Sequence, residues 1–230
     1  MLNHRPRAVL LDAGNTLICL DFAEIGRLLT AAGAGVTPAD LQRAEYHGRR
    51  AVNAMVIGPD QGTDRSRAFI YFSSILQGAG IAADAIRPLF EMIREVNDRV
   101  GLWRVVPAGG REALERLKDA GVKLGVVSNA DGRVAAQLEA ARLADLLDFV
   151  IDSHRVGVEK PDPRIFRMGL ERAGVAADEA VYVGDLYSID VMGARGAGVE
   201  GVLVDPLMLE TVDCPRVRSV AELPALFDIR

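Results

Sequence analysis

Residues 7–17 read RAVLLDAGNTL and place Asp12 directly after a short apolar run. The same arrangement recurs in two later stretches, VKLGVVSN at residues 122–129 and VYVGDLYSID at residues 181–190. A short, β-branched apolar run bounded by polar residues is typical of a strand buried on both faces of a parallel sheet. The three stretches therefore predict three strands that each end in polar side chains.

The strand pattern extends along most of the chain and alternates with helical patterns. Helices are predicted over residues 111–121 (REALERLKDAG), which end at the C-cap residue Gly121, and after the N-cap residues Asp131, Asp162 and Ser188. This alternation predicts an α/β fold with a Rossmann-like parallel sheet flanked by helices. The predicted strands cover residues 8–12, 123–128, 148–151, 180–184 and 200–204.

One long region interrupts the alternation. Residues 20–102 contain no strand pattern and are predicted to form a separate helical domain, inserted into a core of residues 1–19 and 103–230. Glycine-containing breaks, one of them at residues 58–62, separate its helices. The helices are predicted at residues 22–33, 38–57, 64–79 and 83–100.

Composition restricts the classes of partner. The 230 residues are 50% hydrophobic and 26% charged, which is typical of a soluble globular protein. The net charge of -5 disfavours nucleic acid as a partner, and no apolar run approaches the ~18 residues of a membrane span. Two distant cysteines and the absence of a signal-peptide pattern predict a cytoplasmic protein. The sequence leaves the choice between a monomer and a homodimer open.

The polar strand ends are expected to meet. In an open parallel sheet, ligands bind beyond the carboxyl ends of the strands, where the strand order reverses. Asp12, Ser128 and Asp185 all follow or close predicted strands, and the helical insertion follows the first of these ends. The sequence therefore predicts a ligand site at this edge.

Four segments together resemble the motifs of the haloacid dehalogenase superfamily. They are DAGNTL at residues 12–17, VSN at 127–129, GVEKPDPRIF at 157–166 and GDLYSID at 184–190. The resemblance covers nearly the whole chain and is closest to phosphatase-like members of subfamily I, which carry a helical cap between the first two motifs. It implies a hydrolase with a small phosphorylated substrate and a Mg2+ cofactor.

The resemblance also implies roles for individual residues. Asp12 would be the nucleophile that forms an aspartyl-phosphate, and Mg2+ would be held by Asp12, Asp185 and the main-chain carbonyl of Gly14. Lys160 would bind phosphate and balance the negative charge.

Three further residues complete the implied site. Ser128 and the amide of Asn129 would donate hydrogen bonds to phosphoryl oxygens. Asp190 is expected to hold a metal-bound water or Lys160, and not the metal itself.

The chain departs from the phosphatase pattern at one position. The family motif usually reads Asp-x-Asp-Gly-Thr, whereas Gly14 and Asn15 occupy the third and fourth positions here. Neither residue can carry the proton that the second aspartate transfers, and loss of such a group costs ~100- to 10,000-fold in rate. We therefore expect slow hydrolysis, least impaired for aryl or acyl phosphates, whose leaving groups need no proton.

Alternative functions follow from the same departure. One is a regulatory protein that binds phosphate and metal with negligible turnover. Another is a haloacid dehalogenase, although Gly184-Asp185 stands where dehalogenases carry Ser-Ser-Asn and use no metal. Phosphonate-cleaving members use a cap lysine, but residues 20–102 contain none. In that region, His47 either contacts substrate or lies on a solvated helix face.

Overall fold

The computed structural model describes residues 5–57 and 64–229. The chain divides into two compact units: one holds the described residues up to Cys19 and from Arg104 onward, and the other is Leu20–Trp103. The predicted break at residues 58–62 lies outside the described residues. Within the described ranges, none of the helices combines the length and apolarity needed to cross a membrane.

The first unit is built on a six-stranded sheet in which every pairing is parallel. The strands of the chain are β1 Ala8–Leu11, β2 Cys19–Leu20, β3 Trp103–Val105, β4 Lys123–Ser128, β5 Phe149–Asp152, β6 Ala180–Gly184, β7 Glu200–Val204 and β8 Arg216–Val217. The six-stranded sheet has the order β5-β4-β1-β6-β7-β8, and a separate two-stranded sheet pairs β2 with β3.

The five predicted strands are confirmed, with β1 ending one residue earlier and β5 displaced by one residue. The sequence patterns do not predict β2, β3 and β8. Each has only two or three residues, too few to show a hydrophobic period.

Helices alternate with these strands and confirm the predicted α/β class. They are α5 Gly110–Asp119, α6 Val134–Ala140, α7 Ser153–Val156, α8 Pro163–Ala173, α9 Met192–Gly196 and α10 Leu223–Leu226. Single 3-10 turns occur at Ala144–Leu146, Ala177–Glu179 and Val220–Glu222, and a π-helical turn at Tyr187–Val191.

The predicted helix starts had different outcomes. Asp162 caps α8 as expected, because its carboxylate accepts a hydrogen bond from the main-chain N–H of Arg164. The prediction for Asp131 was wrong: Arg133 is the N-cap of α6, and the Asp131 carboxylate binds the Arg133 guanidinium. The prediction for Ser188 was also wrong, because it lies inside the π-helical turn before α9.

The core of this unit surrounds the central strand. All four residues of β1 are fully buried, as expected for a strand covered on both faces. On one side, Leu10 belongs to a cluster with Val127 of β4 and with Ile165 and Phe166 of α8. This packing brings the carboxyl ends of β4, β1 and β6 together.

The described residues of the second unit form four helices. They are α1 Phe22–Ala31, α2 Pro38–Ile57, α3 Asp64–Gly78 and α4 Ala83–Val100. The four predicted helices are confirmed, with ends within two residues of the prediction.

One buried polar cluster lies between α2 and α3. The Arg49 guanidinium Nε donates to both carboxylate oxygens of Glu45, at 2.7 and 2.8 Å. The Tyr71 hydroxyl donates to Glu45 at 2.7 Å. His47 is exposed, as a solvated helix face requires, but Arg49 of the same segment is buried.

Candidate active site

Three neighbouring strands deliver the predicted polar residues to one edge of the sheet. Asp12 follows β1, and its main-chain N–H donates to the carbonyl of Val183 in β6 at 2.8 Å. Ser128 is the last residue of β4, which pairs with β1 on the other side. Asp185 follows β6 directly. The strand order thus brings together residues that are far apart in sequence.

Three carboxylates form the centre of the site. Asp12, Asp185 and Asp190 each offer an oxygen atom, and these oxygens all lie within 4.8 Å of one another. All three residues are buried, Asp190 almost completely at 1% exposure. Carboxylates this close in a site of low dielectric repel one another and need positive charge nearby.

Lys160 supplies one positive charge to this group. Its ammonium Nζ donates to Oδ1 of Asp12 and to Oδ1 of Asp190, each at 2.7 Å, and to the hydroxyl of Tyr182 at 2.8 Å. Of the two roles expected for Asp190, the contact with Lys160 is the one observed. Its second oxygen accepts the main-chain N–H of Leu186 at 2.9 Å.

Burial and charge act in opposite directions on Lys160 and Asp12. Burial alone would lower the pKa of Lys160, but the adjacent carboxylates of Asp12 and Asp190 outweigh burial and raise that pKa well above its usual value. Burial raises the pKa of Asp12, against the opposing effect of Lys160 and with a further contribution from Asp190. Lys160 therefore stays an ammonium ion at neutral pH.

The main chain of Lys160 is also held. The side-chain Nδ2 of Asn129 donates to the Lys160 carbonyl at 3.0 Å, and its Oδ1 accepts the Lys160 N–H at 2.8 Å. The side-chain amide of Asn129 is thus occupied at both ends, and the expected phosphate contact would need its main-chain N–H. Ser128 forms a side-chain hydrogen bond with Asp12.

Position 184 has to be glycine because the Asp190 carboxylate occupies the space that a side chain there would fill. A Cβ at position 184 would lie 2.3 Å from the carboxyl carbon of Asp190, well inside van der Waals contact. The Gly184-Asp185 pair thus has two separate functions in the fold: glycine admits one carboxylate to the centre, and the next residue supplies another.

The first motif forms a tight turn after β1. The main-chain N–H groups of Leu17 and Ile18 both donate to the carbonyl of Ala13 at 2.9 Å. Asn15 has a left-handed φ of 51° and donates from Nδ2 to Oδ2 of Asp185 at 3.2 Å. Asparagine tolerates this conformation better than most residues. The side chain that replaces the family glycine therefore contacts a predicted metal ligand.

Tyr182 belongs to this site although none of the sequence motifs predicts it. The sequence predicts Tyr182 only as part of a buried strand, and its exposure is 0%. A signal was available: buried tyrosine hydroxyls nearly always need a hydrogen-bond partner. A tyrosine two residues before the Gly-Asp motif therefore has to direct its hydroxyl at a polar group of the site or of a neighbouring strand.

Comparison with known proteins identifies the family to which this chain is similar. The sequence profile of the haloacid dehalogenase-like hydrolases matches residues 75–204, more than half of the chain. The mouse haloacid dehalogenase-like hydrolase domain-containing protein 3 is 38% identical over 122 residues, covering 53% of this chain and 48% of that protein. A phosphoserine phosphatase of Thermus thermophilus is 39% identical over 135 residues, covering 58% and 53%.

The solved structure of a haloacid dehalogenase-type phosphatase from Thermococcus onnurineus matches 97% of this chain and 99% of its own, with 26% identity and a TM-score of 0.61. The chain spans about half the length of the curated relatives it matches. The matched profile and the carboxylate centre at the sheet edge establish that this chain belongs to the haloacid dehalogenase-like hydrolases.

Proposed function

We propose that this chain is a slow, Mg2+-dependent phosphatase of a small phosphorylated metabolite that works through an aspartyl-phosphate on Asp12. The observation that supports this most directly is the buried centre of Asp12, Asp185 and Asp190 with one ammonium group, that of Lys160. We further propose that the helical unit of residues 20–103 serves as the cap of subfamily I.

The donor set fits a magnesium ion. Mg2+ prefers oxygen ligands and is usually held by one or two carboxylates together with substrate phosphate and water. Asp12, Asp185 and the carbonyl of Gly14 would hold it, whereas both oxygens of Asp190 already accept hydrogen bonds. When bound, Mg2+ would polarise the phosphoryl group and offset negative charge.

The proposed hydrolysis has two chemical steps. The Asp12 carboxylate attacks phosphorus, the bond from phosphorus to the leaving oxygen breaks, and water then cleaves the acyl phosphate to release inorganic phosphate. Lys160 keeps its proton, because its pKa is raised by Asp12 and Asp190 in spite of burial. Gly14 has no side chain that could donate a proton to the leaving oxygen. The first step therefore favours leaving groups that are stable as anions.

A direct test uses p-nitrophenyl phosphate and acetyl phosphate with and without Mg2+. We expect Mg2+-dependent turnover and a pre-steady-state burst, since the water-activating aspartate is missing and the phosphoenzyme should accumulate. Linear product formation from the first turnover would contradict the slow second step. No cleavage across a broad panel of phosphate esters and acyl phosphates would refute the phosphatase proposal.

Gly14 also motivates a second candidate, a regulatory protein that binds phosphate and metal with negligible turnover. Tight phosphate binding, or a phosphoenzyme that persists without release, would support this candidate. Multiple turnovers above the metal-free control would exclude it.

Haloacid dehalogenation is the less favoured hydrolytic alternative. The buried Asp185 carboxylate lies with Asp12 in the same centre, where it would repel the carboxylate of a haloacid substrate. Release of halide from 2-haloacids without Mg2+ would establish this activity, and its absence would dispose of it.

A further inference from the structure

All three protons of the Lys160 ammonium group have acceptors within the protein. The acceptors are Asp12 after β1, Tyr182 in β6 and Asp190 in the π-helical turn, at 2.7, 2.8 and 2.7 Å. A lysine ammonium has three donors and no acceptor. Its position is therefore determined by three hydrogen bonds to residues in three different segments of the chain.

Tyr182 is the neutral member of these three acceptors. Its hydroxyl donates its proton to the main-chain carbonyl of Val127 at 2.7 Å. With the proton committed to Val127, a lone pair of the hydroxyl oxygen faces Lys160. The ring is held in place by Phe166, edge to face at a centroid separation of 4.9 Å.

As a neutral acceptor, Tyr182 affects the position of the Lys160 ammonium group. Asp12 and Asp190 attract the ammonium at equal distances, but only Asp12 is the proposed nucleophile. Without a third acceptor, one N–H of this buried ammonium would lack a protein partner, and the ammonium could reorient to satisfy it. Displacement of a positioned group by about 1 Å can cost ~100-fold in rate.

We propose that Tyr182 is a positioning residue that fixes the Lys160 ammonium against Asp12. Its catalytic consequence rests on the proposed phosphatase function, whereas its effect on the ammonium group does not. Two kinds of measurement therefore separate failure of this proposal from failure of the proposed function.

The first measurement follows the ammonium group itself. The chain contains three lysines, so 15N-lysine labelling gives a simple NMR spectrum of side-chain ammonium groups. The other two, Lys118 and Lys123, each donate to a main-chain carbonyl. Lys118→Arg and Lys123→Arg assign their signals by removal. We expect the Lys160 protons of the wild-type protein to exchange with water about tenfold more slowly than those of the other two.

The same measurement on Tyr182→Phe tests the hydroxyl. Loss of one hydrogen bond should accelerate exchange of the Lys160 protons by about tenfold. Tyr187→Phe is the matched control, because that hydroxyl also accepts a hydrogen bond from a cation, Arg195, and belongs to a different hydrogen-bond group with Asp213. In this control, the Lys160 exchange rate should stay at the wild-type value.

The kinetic measurement separates positioning from general damage. In folded Tyr182→Phe, kcat for p-nitrophenyl phosphate should fall ~10- to 100-fold with a smaller change in KM, since the hydroxyl positions Lys160 and is not itself a proposed substrate contact. An unchanged exchange rate of the Lys160 ammonium protons in the folded Tyr182→Phe variant would overturn the proposal. If the variant does not fold, wild-type Lys160 protons that exchange as fast as those of Lys118 and Lys123 would overturn it.

Discussion

Each unit buries a cation, a carboxylate and a tyrosine hydroxyl, but the two groups are built differently. In the helical unit, Arg49 and Glu45 are four residues apart on one helix, and each contributes one charge. In the α/β unit, Lys160 joins residues that are 148, 22 and 30 positions away, and its ammonium binds two of the three carboxylates of the centre. The local pair is balanced in charge, whereas the centre assembled from distant segments has an excess of negative charge, which the proposed magnesium ion would offset.

The largest contrast is expected from removing one carboxylate in each unit. Asp12→Asn should lower kcat on p-nitrophenyl phosphate by at least ~10,000-fold, because it removes the nucleophile. Glu45→Gln removes the carboxylate of the helical unit, and it should lower stability while leaving kcat unchanged. Steady-state kinetics on both folded variants checks this. Substantial turnover by Asp12→Asn would assign the nucleophile elsewhere.

A gain of function is expected at Gly14. Gly14→Asp restores the missing proton carrier and should raise kcat on alkyl phosphates by about 100- to 10,000-fold. Gly14 is not among the described glycines with positive φ, so its backbone conformation does not by itself disfavour a side chain. Gly14→Asn has nearly the same shape without the proton, and it should give no gain. Equal rates in both variants would mean that another group transfers the proton.

Removal of either buried cation should lower stability, but Mg2+ should compensate for only one of the two losses. Lys160→Met and Arg49→Met each leave buried carboxylate without its cation, so each should lower the free energy of unfolding by about 3 to 5 kcal/mol. Saturating Mg2+ should restore part of the loss only in Lys160→Met, because a bound cation there replaces the missing charge. Urea unfolding with and without Mg2+ measures this. An equal response of both variants would contradict the distinction between the units.

The smallest effect is expected in the pH dependence of stability. The carboxylates of Asp12 and Asp190, acting against burial, raise the folded pKa of Lys160. Its stabilising contribution is therefore complete below the unfolded lysine pKa, about 10.4. Above that pH the unfolded chain loses a proton that the folded chain keeps, and stability should fall by up to about 1.4 kcal/mol per pH unit.

Two variants test whether Lys160 causes this loss of stability at alkaline pH. Lys160→Met should flatten the decline, and Arg49→Met should keep it, because guanidinium groups do not deprotonate in proteins. Unfolding curves measured between neutral and strongly alkaline pH make the comparison. A decline of the same slope in Lys160→Met would show that other groups cause it.

Much of the fold could be predicted because its signals are local. The runs that became β1, β4 and β6 are apolar and end in polar residues, so both the strand and its functional end are visible in a few letters. The starts of α6 and α9 were mispredicted for the opposite reason. Asp131 binds Arg133 instead of capping the helix, and Ser188 lies in a π-helical turn that no local pattern announces.

For the site as well, some features could be predicted from the sequence and others could not. The residues that meet at the sheet edge were predicted, because parallel strands bring their carboxyl ends together. The partners of each side chain were not. Asn129 clamps the main chain of Lys160 with both ends of its amide, and Tyr182 completes the hydrogen bonds of the ammonium.

The sequence by itself determined the α/β class, the helical insertion and the residue types at each strand end, since these depend on hydrophobic period and turn residues. It also showed that Gly14 leaves the first motif without a proton carrier. Only the tertiary structure decided that Asp190 binds Lys160, that Asn15 contacts Asp185, and that Tyr182 belongs to the site. These contacts depend on hydrogen-bond directions between segments far apart in the chain, which only the packed sheet brings within reach.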